Sequence, residues 1–358
     1  MSTHLHSPGD KLIDRYRILR YLNEGGMQQV YLAEDSVFCR QVALKVPKTA
    51  SAEKRFERSA QVSARITHAN VAATFDYFDF GSKSYLIEEF IEGGTLSECL
   101  YKQFGLLDPH LAAHLIHHLS KGVAASHRAG VFHRDLKPSN IMVSADPGLN
   151  SVKITDFGIA KMAEEEIADA FKDDDSITGS QTVMGALPYM APEMVLDPRS
   201  AALPADIWAL GAILYQLLSG ELPFGQGLKA VPAIVAALLP AQPALFAAKH
   251  QFQPLTGGLW NIVTTCLQKD PAKRPLADAL VEMCAKLCYS TAERHLGTID
   301  SYGKRGGKWG FIASDDGKQV FFHRDSFYGD TVTLGARVSF ARFPGVPQNR
   351  AFPVLPIK

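Results

Sequence analysis

Between Arg17 and Val46, short apolar segments alternate with polar positions and are interrupted by turns, a period of two that predicts strands. Ala52 to Ile66 shifts to helical spacing, and Val71 to Ile91 returns to strand-like segments. From Pro109 onward the period lengthens, with Leu111, Leu115 and Leu119 on one stripe of a predicted helix. Leu280, Met283 and Leu287 predict a late helix running from about Ala279 through Glu293. Beyond it, Gly297 to Lys358 is rich in Gly, Val and Phe at strand spacing. The pattern therefore predicts a small β-rich part, a larger α-rich part and a small all-β unit, with a boundary near His295. No internal repeat, low-complexity run or Gly/Ser-rich linker separates them.

Composition narrows the class without choosing a function. With 46% hydrophobic and 21% charged residues in 358, the chain has the balance of a globular protein and not of a disordered one. Its five cysteines are scattered and form no CxxC pair, which argues against a disulfide framework or zinc knuckle and predicts a reducing, cytoplasmic setting. No signal peptide is visible near the N-terminus, and prolines 232, 240 and 243 interrupt the most apolar later stretch, so no membrane span is expected. The zero formal net charge hides an asymmetry. Cys288 to Lys358 carries ten Lys/Arg against six Asp/Glu, a basic tail on an acidic body.

The candidate chemistry begins with His133-Arg134-Asp135-Leu136-Lys137-Pro138-Ser139-Asn140, followed by Asp156-Phe157-Gly158 and Ala191-Pro192-Glu193. Phosphoryl transfer needs charge neutralisation around phosphates and an oriented hydroxyl, which a loop Asp beside an Asn and a second Asp can supply. Three such motifs in this order resemble the protein-kinase family, in its Hanks-type (eukaryotic-like) serine/threonine branch because of Lys137, over roughly residues 16 to 287. The resemblance implies a two-lobed α+β kinase fold, with ATP and Mg²⁺ as cofactors and protein Ser/Thr side chains as substrate. It implies Asp135 as catalytic base, Lys137 steadying the phosphoryl group, and Asn140 and Asp156 as metal ligands. Lys45, within Val42-Ala43-Leu44-Lys45, would grip the α- and β-phosphates. Leu22, Gly25, Val30, Ala43, Glu88, Glu89 and Ile91 would line the nucleotide site, and Arg274 would pair with Glu193.

Four positions depart from the family pattern. The Gly-rich segment reads Asn23-Glu24-Gly25-Gly26-Met27-Gln28-Gln29-Val30, with Gln28 where backbone amides should approach phosphate. Ser59 occupies the helical position that normally carries the glutamate pairing with the strand lysine. Glu88 replaces an apolar residue at the back of the adenine pocket; either it reaches Lys45 from the other side or its strand is out by one residue and it points to solvent. Ala186 replaces a threonine that would contact the catalytic loop. The chain is thus either an active kinase or a catalytically weak or silent scaffold that binds through both its parts.

Between Asp156 and Glu193, a polar stretch with Asp173-Asp174-Asp175, Ser176, Thr178, Ser180 and Thr182 fits either an activation loop whose phosphate would meet Arg134 or an unregulated polar loop. His110, His114 and His117 share a helical face, read as the wet side of an amphipathic helix and not as a metal site. Cys284 and Cys288 read as packing residues.

In the C-terminal unit, Trp309 with Phe311, and Phe321 with His323, share one face of predicted strands. Such surfaces stack unpaired bases while basic residues track the backbone, here Lys304, Arg305, Lys308, Lys318 and Arg324. From Gly297 to Val354 this resembles the cold-shock domain, an OB-type barrel, with Tyr302 as a further stacking residue on the first strand and Arg324 in an aromatic's place. The resemblance implies a single-stranded nucleic-acid partner; the alternative is a barrel docked on the kinase with its aromatics buried. The expected organisation is a tail at 1–11, the kinase domain at 12–287, a helical linker at 288–296 and the barrel at 297–358.

Overall fold

A computed structural model describes residues 4–25, 28–48, 50–157, 181–197 and 202–358. Residues 26–27 and 158–180, including most of the expected activation loop, lie outside the described residues, as does the side chain of Thr182.

The N-terminal lobe is built on six strands: β1 (Lys11–Leu12), β2 (Tyr16–Glu24), β3 (Gln28–Asp35), β4 (Arg40–Pro47), β5 (Thr74–Phe80) and β6 (Lys83–Glu89), with helix α1 (Ala50–Ser63) between β4 and β5. They form an antiparallel sheet in the order β1-β2-β3-β4-β6-β5. Tyr16, Ile18, Tyr31, Val42, Leu44, Tyr85 and Ile87 alternate onto one face and make its core. Phe56 and Ala60 of α1 pack on Leu86 of the opposite face. Strand β4 is therefore covered on both sides, and Lys45 is only 6% exposed.

The expected N-terminal tail is part of this lobe. The Leu5 amide donates to Tyr31 Oη at 2.9 Å and the Gly9 amide to the Ile18 carbonyl at 2.8 Å. His6 Nε2 lies 3.0 Å from Tyr85 Oη. Its polar groups find partners along the sheet, so the segment lies along it.

The C-terminal lobe opens with β7 (Gly93–Thr95), α2 (Leu96–Cys99) and α3 (Pro109–Arg128), then β8 (Ile141–Ser144) and β9 (Val152–Ile154). Short helices α4 (Gln181–Ala186) and α5 (Pro192–Leu196) lead to α6 (Leu203–Ser219), then α7 (Val231–Ala236), α8 (Ala244–Ala248), α9 (Gln253–Cys266) and α10 (Ala277–Ala285). Asp108 caps α3, accepting from the His110 and Leu111 amides, and Pro109 stands in the first turn, where no amide is required. Leu115, Leu119, Trp208, Ile213 and Leu259 fill one core with α3, α6 and α9 around it.

The last helix stops at Ala285 and does not run to Glu293. The Ser290 amide, which a helix would spend on the Lys286 carbonyl, donates to His110 Nδ1 at 3.0 Å instead. The linker expected at 288–296 is therefore not helical, and β10 (Arg294–Tyr302) begins inside it. With β11 (Trp309–Ser314), β12 (Gln319–His323), β13 (Arg337–Phe343) and β14 (Arg350–Pro356) it closes a five-stranded barrel in the order β10-β11-β12-β14-β13. Ile299, Ile312, Phe322, Val338, Phe340 and Val354 fill its interior.

The barrel is seated on the C-terminal lobe. Tyr328 and Leu355 are fully buried in that lobe's core, with Phe352 and Ile357 packed against it. Phe252 meets Phe352 at 5.2 Å and Tyr328 at 5.1 Å between ring centres. Arg294 Nη2 sits 2.9 Å from Oδ2 of Asp108, both groups buried. The histidine face of α3 belongs to this contact and is not its wet side: His110 packs on Phe352 at 5.4 Å and His117 Nδ1 lies 2.8 Å from Tyr289 Oη.

Candidate active site and aromatic platform

A cleft of about 640 Å³ opens between the lobes. Leu22, Gly25, Val30, Ala43, Lys45, Glu88, Glu89 and Ile91 line its upper side, and Lys137, Asn140 and Asp156 its lower side. Every expected nucleotide and metal residue is thus brought to one cavity. Asp135 stands just below, its carboxylate 2.9 Å from Lys137 Nζ and 3.1 Å from the donating Nδ2 of Asn140.

The sheet register explains how Lys45 is held. Glu88 faces Ala43 across the β4–β6 ladder, and Lys45 lies two residues further along the same face. The small Ala43 lets the Glu88 carboxylate reach Lys45 Nζ at 2.5 Å. Of the two alternatives for Glu88, the ion pair is the one formed, and the residue is only 5% exposed. Asp156 Oδ1 takes a second bond from Lys45 at 2.7 Å and one from Gln28 Nε2 at 3.3 Å. Burial pushes the Lys45 ammonium toward neutrality, but two carboxylates outweigh it and hold its pKa above the ordinary value. Burial raises Glu88. Asp156 is also pushed up by burial, yet the Lys45 charge keeps it below the usual carboxylate range.

The loop below is fixed from behind. Asp206, fully buried, accepts the His133 and Arg134 amides at 2.8 Å each and faces His127 Nε2 at 2.9 Å. These bonds hold Arg134 in the left-handed region at φ 65°, and Asp156 stands there as well at φ 61°. Backbone in that region is costly for a residue with a side chain and survives only where contacts impose it. Arg134 stacks its guanidinium over Phe132 at 4.2 Å. Arg274 meets Glu193 through two nitrogens at 2.6 and 2.8 Å, locking the segment below the cleft.

Two of the other substituted positions make identifiable bonds, and the third makes none. Ser59 Oγ donates to the Phe157 carbonyl at 2.5 Å, tying α1 to the segment that carries Asp156. Gln28 spans to Asp156, as above. Ala186 is buried beside a cavity of about 10 Å³ that it shares with Asp135, and offers that carboxylate no bond. Thr95, Ser97, Met142 and Tyr189 also line the cleft and were not foreseen. Met142 was legible in principle, since strand alternation turns it opposite to the fully buried Ile141 and Val143.

The donor set fits a hard divalent cation. Asn140 spends its Nδ2 on the Asp135 carbonyl at 2.8 Å, which leaves Oδ1 as an oxygen donor beside the Asp156 carboxylate. Among the described residues no group of three or more His, Cys, Asp or Glu could hold a metal alone. An ion here would therefore take phosphate oxygens as further ligands, the usual habit of Mg²⁺.

On the barrel, Trp309, Phe311, Phe321 and His323 share the outer wall of β11 and β12. Trp309 stacks with Phe321 at 6.2 Å and meets Phe311 edge-on at 5.7 Å, while Arg350 lies 5.9 Å above Phe321. None of the four belongs to the contact with the C-terminal lobe; each is half-buried and Lys308 is exposed. Tyr302 does not join them. A bulge at Asp300 moves the register so that Tyr302 faces Gly310 instead of Trp309, and its ring stacks inward on Phe322 at 5.9 Å. Arg324 turns its guanidinium to the Gly329 and Asp330 carbonyls.

Comparison with known proteins follows the same division. The protein kinase domain family matches residues 16–284. The serine/threonine-protein kinase PrkC of Bacillus subtilis is 32% identical over 272 residues, covering 74% of this chain and 39% of its own length. The serine/threonine-protein kinase pkn2 of Myxococcus xanthus is 33% identical over 288 residues, covering 76% of this chain and 33% of its own. The chain thus spans between a third and two fifths of these relatives. A crystal structure of Rad53 1-466 in complex with AMP-PNP shares the fold, with a TM-score of 0.57 at 20% identity over 75% of this chain and 65% of that one.

Proposed function

The chain belongs to the protein kinase domain family, and from that premise we propose that it transfers the terminal phosphoryl group of ATP to serine or threonine hydroxyls of protein substrates. The observation that carries the reading is the convergence of Lys45, Asp135, Lys137, Asn140 and Asp156 around one cleft. In this reading the hydroxyl oxygen bonds to phosphorus as the bond to ADP breaks, and its proton passes to the Asp135 carboxylate. Lys137 and Lys45 carry positive charge to the phosphate oxygens, and Asn140 holds Asp135 in place. Mg²⁺, when bound by Asp156 and Asn140, would neutralise charge on the phosphates. Incubation with γ-labelled ATP, Mg²⁺ and a generic basic protein tests it; no transfer above background would leave the scaffold alternative.

A second reading concerns the barrel. Its five closed strands and its outward aromatic wall favour an OB-type, cold-shock-like module that stacks single-stranded nucleic acid. The exposed Lys308 and Arg350 beside the rings support it. Titration with fluorescent DNA and RNA oligonucleotides at several salt concentrations is the test, and absence of binding at low salt refutes it.

A further inference from the structure

Lys45 and Glu88 belong to strands that are hydrogen-bonded neighbours within one sheet. Their pairing is set by ladder register, and neither can leave without breaking backbone bonds on both sides. Helix α1, in contrast, touches this cluster through Ser59, and Ser59 binds the Phe157 carbonyl, not the lysine. The two jobs are therefore divided: the sheet supplies the carboxylate for Lys45, and the helix holds the segment of Asp156. Glu88 also lines the cleft, so its action through Lys45 has to be separated from direct contact with a nucleotide. It is nearly fully buried, and the Lys45 ammonium at 2.5 Å is the cation that compensates it.

We propose that Glu88 is the positioning residue that aims Lys45 at the nucleotide phosphates from within the sheet, so that the lysine takes its carboxylate partner from the ladder and not from helix α1. Regulation by displacement of that helix would act on Asp156 through Ser59 and leave the lysine pair intact. The inference rests on the nucleotide reading above for the destination of Lys45 only.

A double-mutant cycle on the full chain tests it, read as affinity for a fluorescent ATP analogue without turnover, with folding of each variant checked by thermal melting. Glu88→Gln in the wild-type background is expected to weaken binding about tenfold. In a Lys45→Met background the same change should weaken it not at all, because Glu88 acts through the lysine. Glu88→Gln should still weaken binding in a Ser59→Ala background, because the ladder supplies its pairing with Lys45, although the bond from Lys45 to Asp156 at 2.7 Å links the two effects. Equal weakening by Glu88→Gln with and without Lys45 would overturn the proposal, as a merely structural role predicts. A Glu88→Gln effect that disappears in the Ser59→Ala background would overturn the division of labour. A wild-type chain that binds no analogue would instead refute the nucleotide reading, and the proposal with it.

Discussion

Removing Arg294 tests whether the barrel is a built-in part of the C-terminal lobe. Its guanidinium meets Asp108 with Nη2 at 3.0 Å from Oδ1 and 2.9 Å from Oδ2, and the arginine side chain is 4% exposed and the aspartate 0%. Breaking a buried ion pair by deleting one partner costs about 3–5 kcal/mol, because the other charge stays buried. In Arg294→Met the aspartate left behind still accepts the His110 and Leu111 amides at 3.0 and 3.3 Å, which places this variant near the lower end, about 3 kcal/mol. Asp108→Ala loses more. It strands a guanidinium whose Nη1 is already without a partner and removes the cap of α3, another 1 kcal/mol or so, for about 5 kcal/mol in total.

For a chain of 358 residues the usual unfolding entropy per residue makes 1 kcal/mol worth a little over 1 °C. Melting temperatures should fall by about 4 °C for Arg294→Met and about 7 °C for Asp108→Ala, with one cooperative transition in circular dichroism for the wild type. A barrel that is only tethered predicts two transitions, with Arg294→Met leaving the larger one unmoved. That result, or an arginine variant less stable than the aspartate variant, refutes the reasoning.

Asp135→Asn should lower phosphoryl transfer by about 10²- to 10⁴-fold while nucleotide affinity stays near wild type, measured with labelled ATP and by nucleotide titration. A variant that transfers at the wild-type rate would dismiss Asp135 as the base. Trp309→Ala and Phe321→Ala should each weaken oligonucleotide binding by about 1–3 kcal/mol in fluorescence titrations without changing the salt slope, since stacking and not phosphate contact is lost. Unchanged affinity in both would mean the wall is not a base platform.

The two-lobed division and the site's lower half were legible because motif residues lie close together in sequence: Asp135, Lys137 and Asn140 fall on one loop. Gln28 and Ser59 could be flagged as misfits, but their roles depend on residues far away in sequence, Asp156 and Phe157, and only packing brings these together; for Glu88 the reach to Lys45 is one of two alternatives the sequence allows, and ladder register decides between them. Two errors have a common cause in backbone competition. The apolar spacing of the last helix continues to Leu287 and so points on to Glu293, whereas the Ser290 amide is claimed by His110 from another element. Strand alternation without a bulge places Tyr302 on the aromatic wall, and one extra residue at Asp300 reverses it. The histidines of α3 look polar in a helical wheel, yet burial lowers the pKa of His110, His114 and His117, and these neutral rings suit an interface.

The position of the barrel also decides how a nucleic acid bound in the proposed way would influence the rest of the chain. A basic tail on an acidic body would allow the barrel to dock through charge. Docking instead uses Tyr328, Phe352, Leu355 and Ile357, while Trp309, Phe311, Phe321 and His323 lie on another wall. An oligonucleotide on that wall therefore does not compete with the seat formed by these four residues. What remains is linkage through folding: a ligand that binds only the folded barrel stabilises everything that unfolds with it, by about 2.7 kcal/mol at a hundredfold excess over its dissociation constant. Hydrogen exchange separates the two cases. With a saturating oligonucleotide, the slowest amides of helix α6, deep in the C-terminal lobe around the fully buried Trp208, should slow by about a hundredfold, as they exchange only through global opening. Protection confined to β10–β14, with α6 unchanged, would show that the barrel opens independently and that its apolar seat carries no coupling.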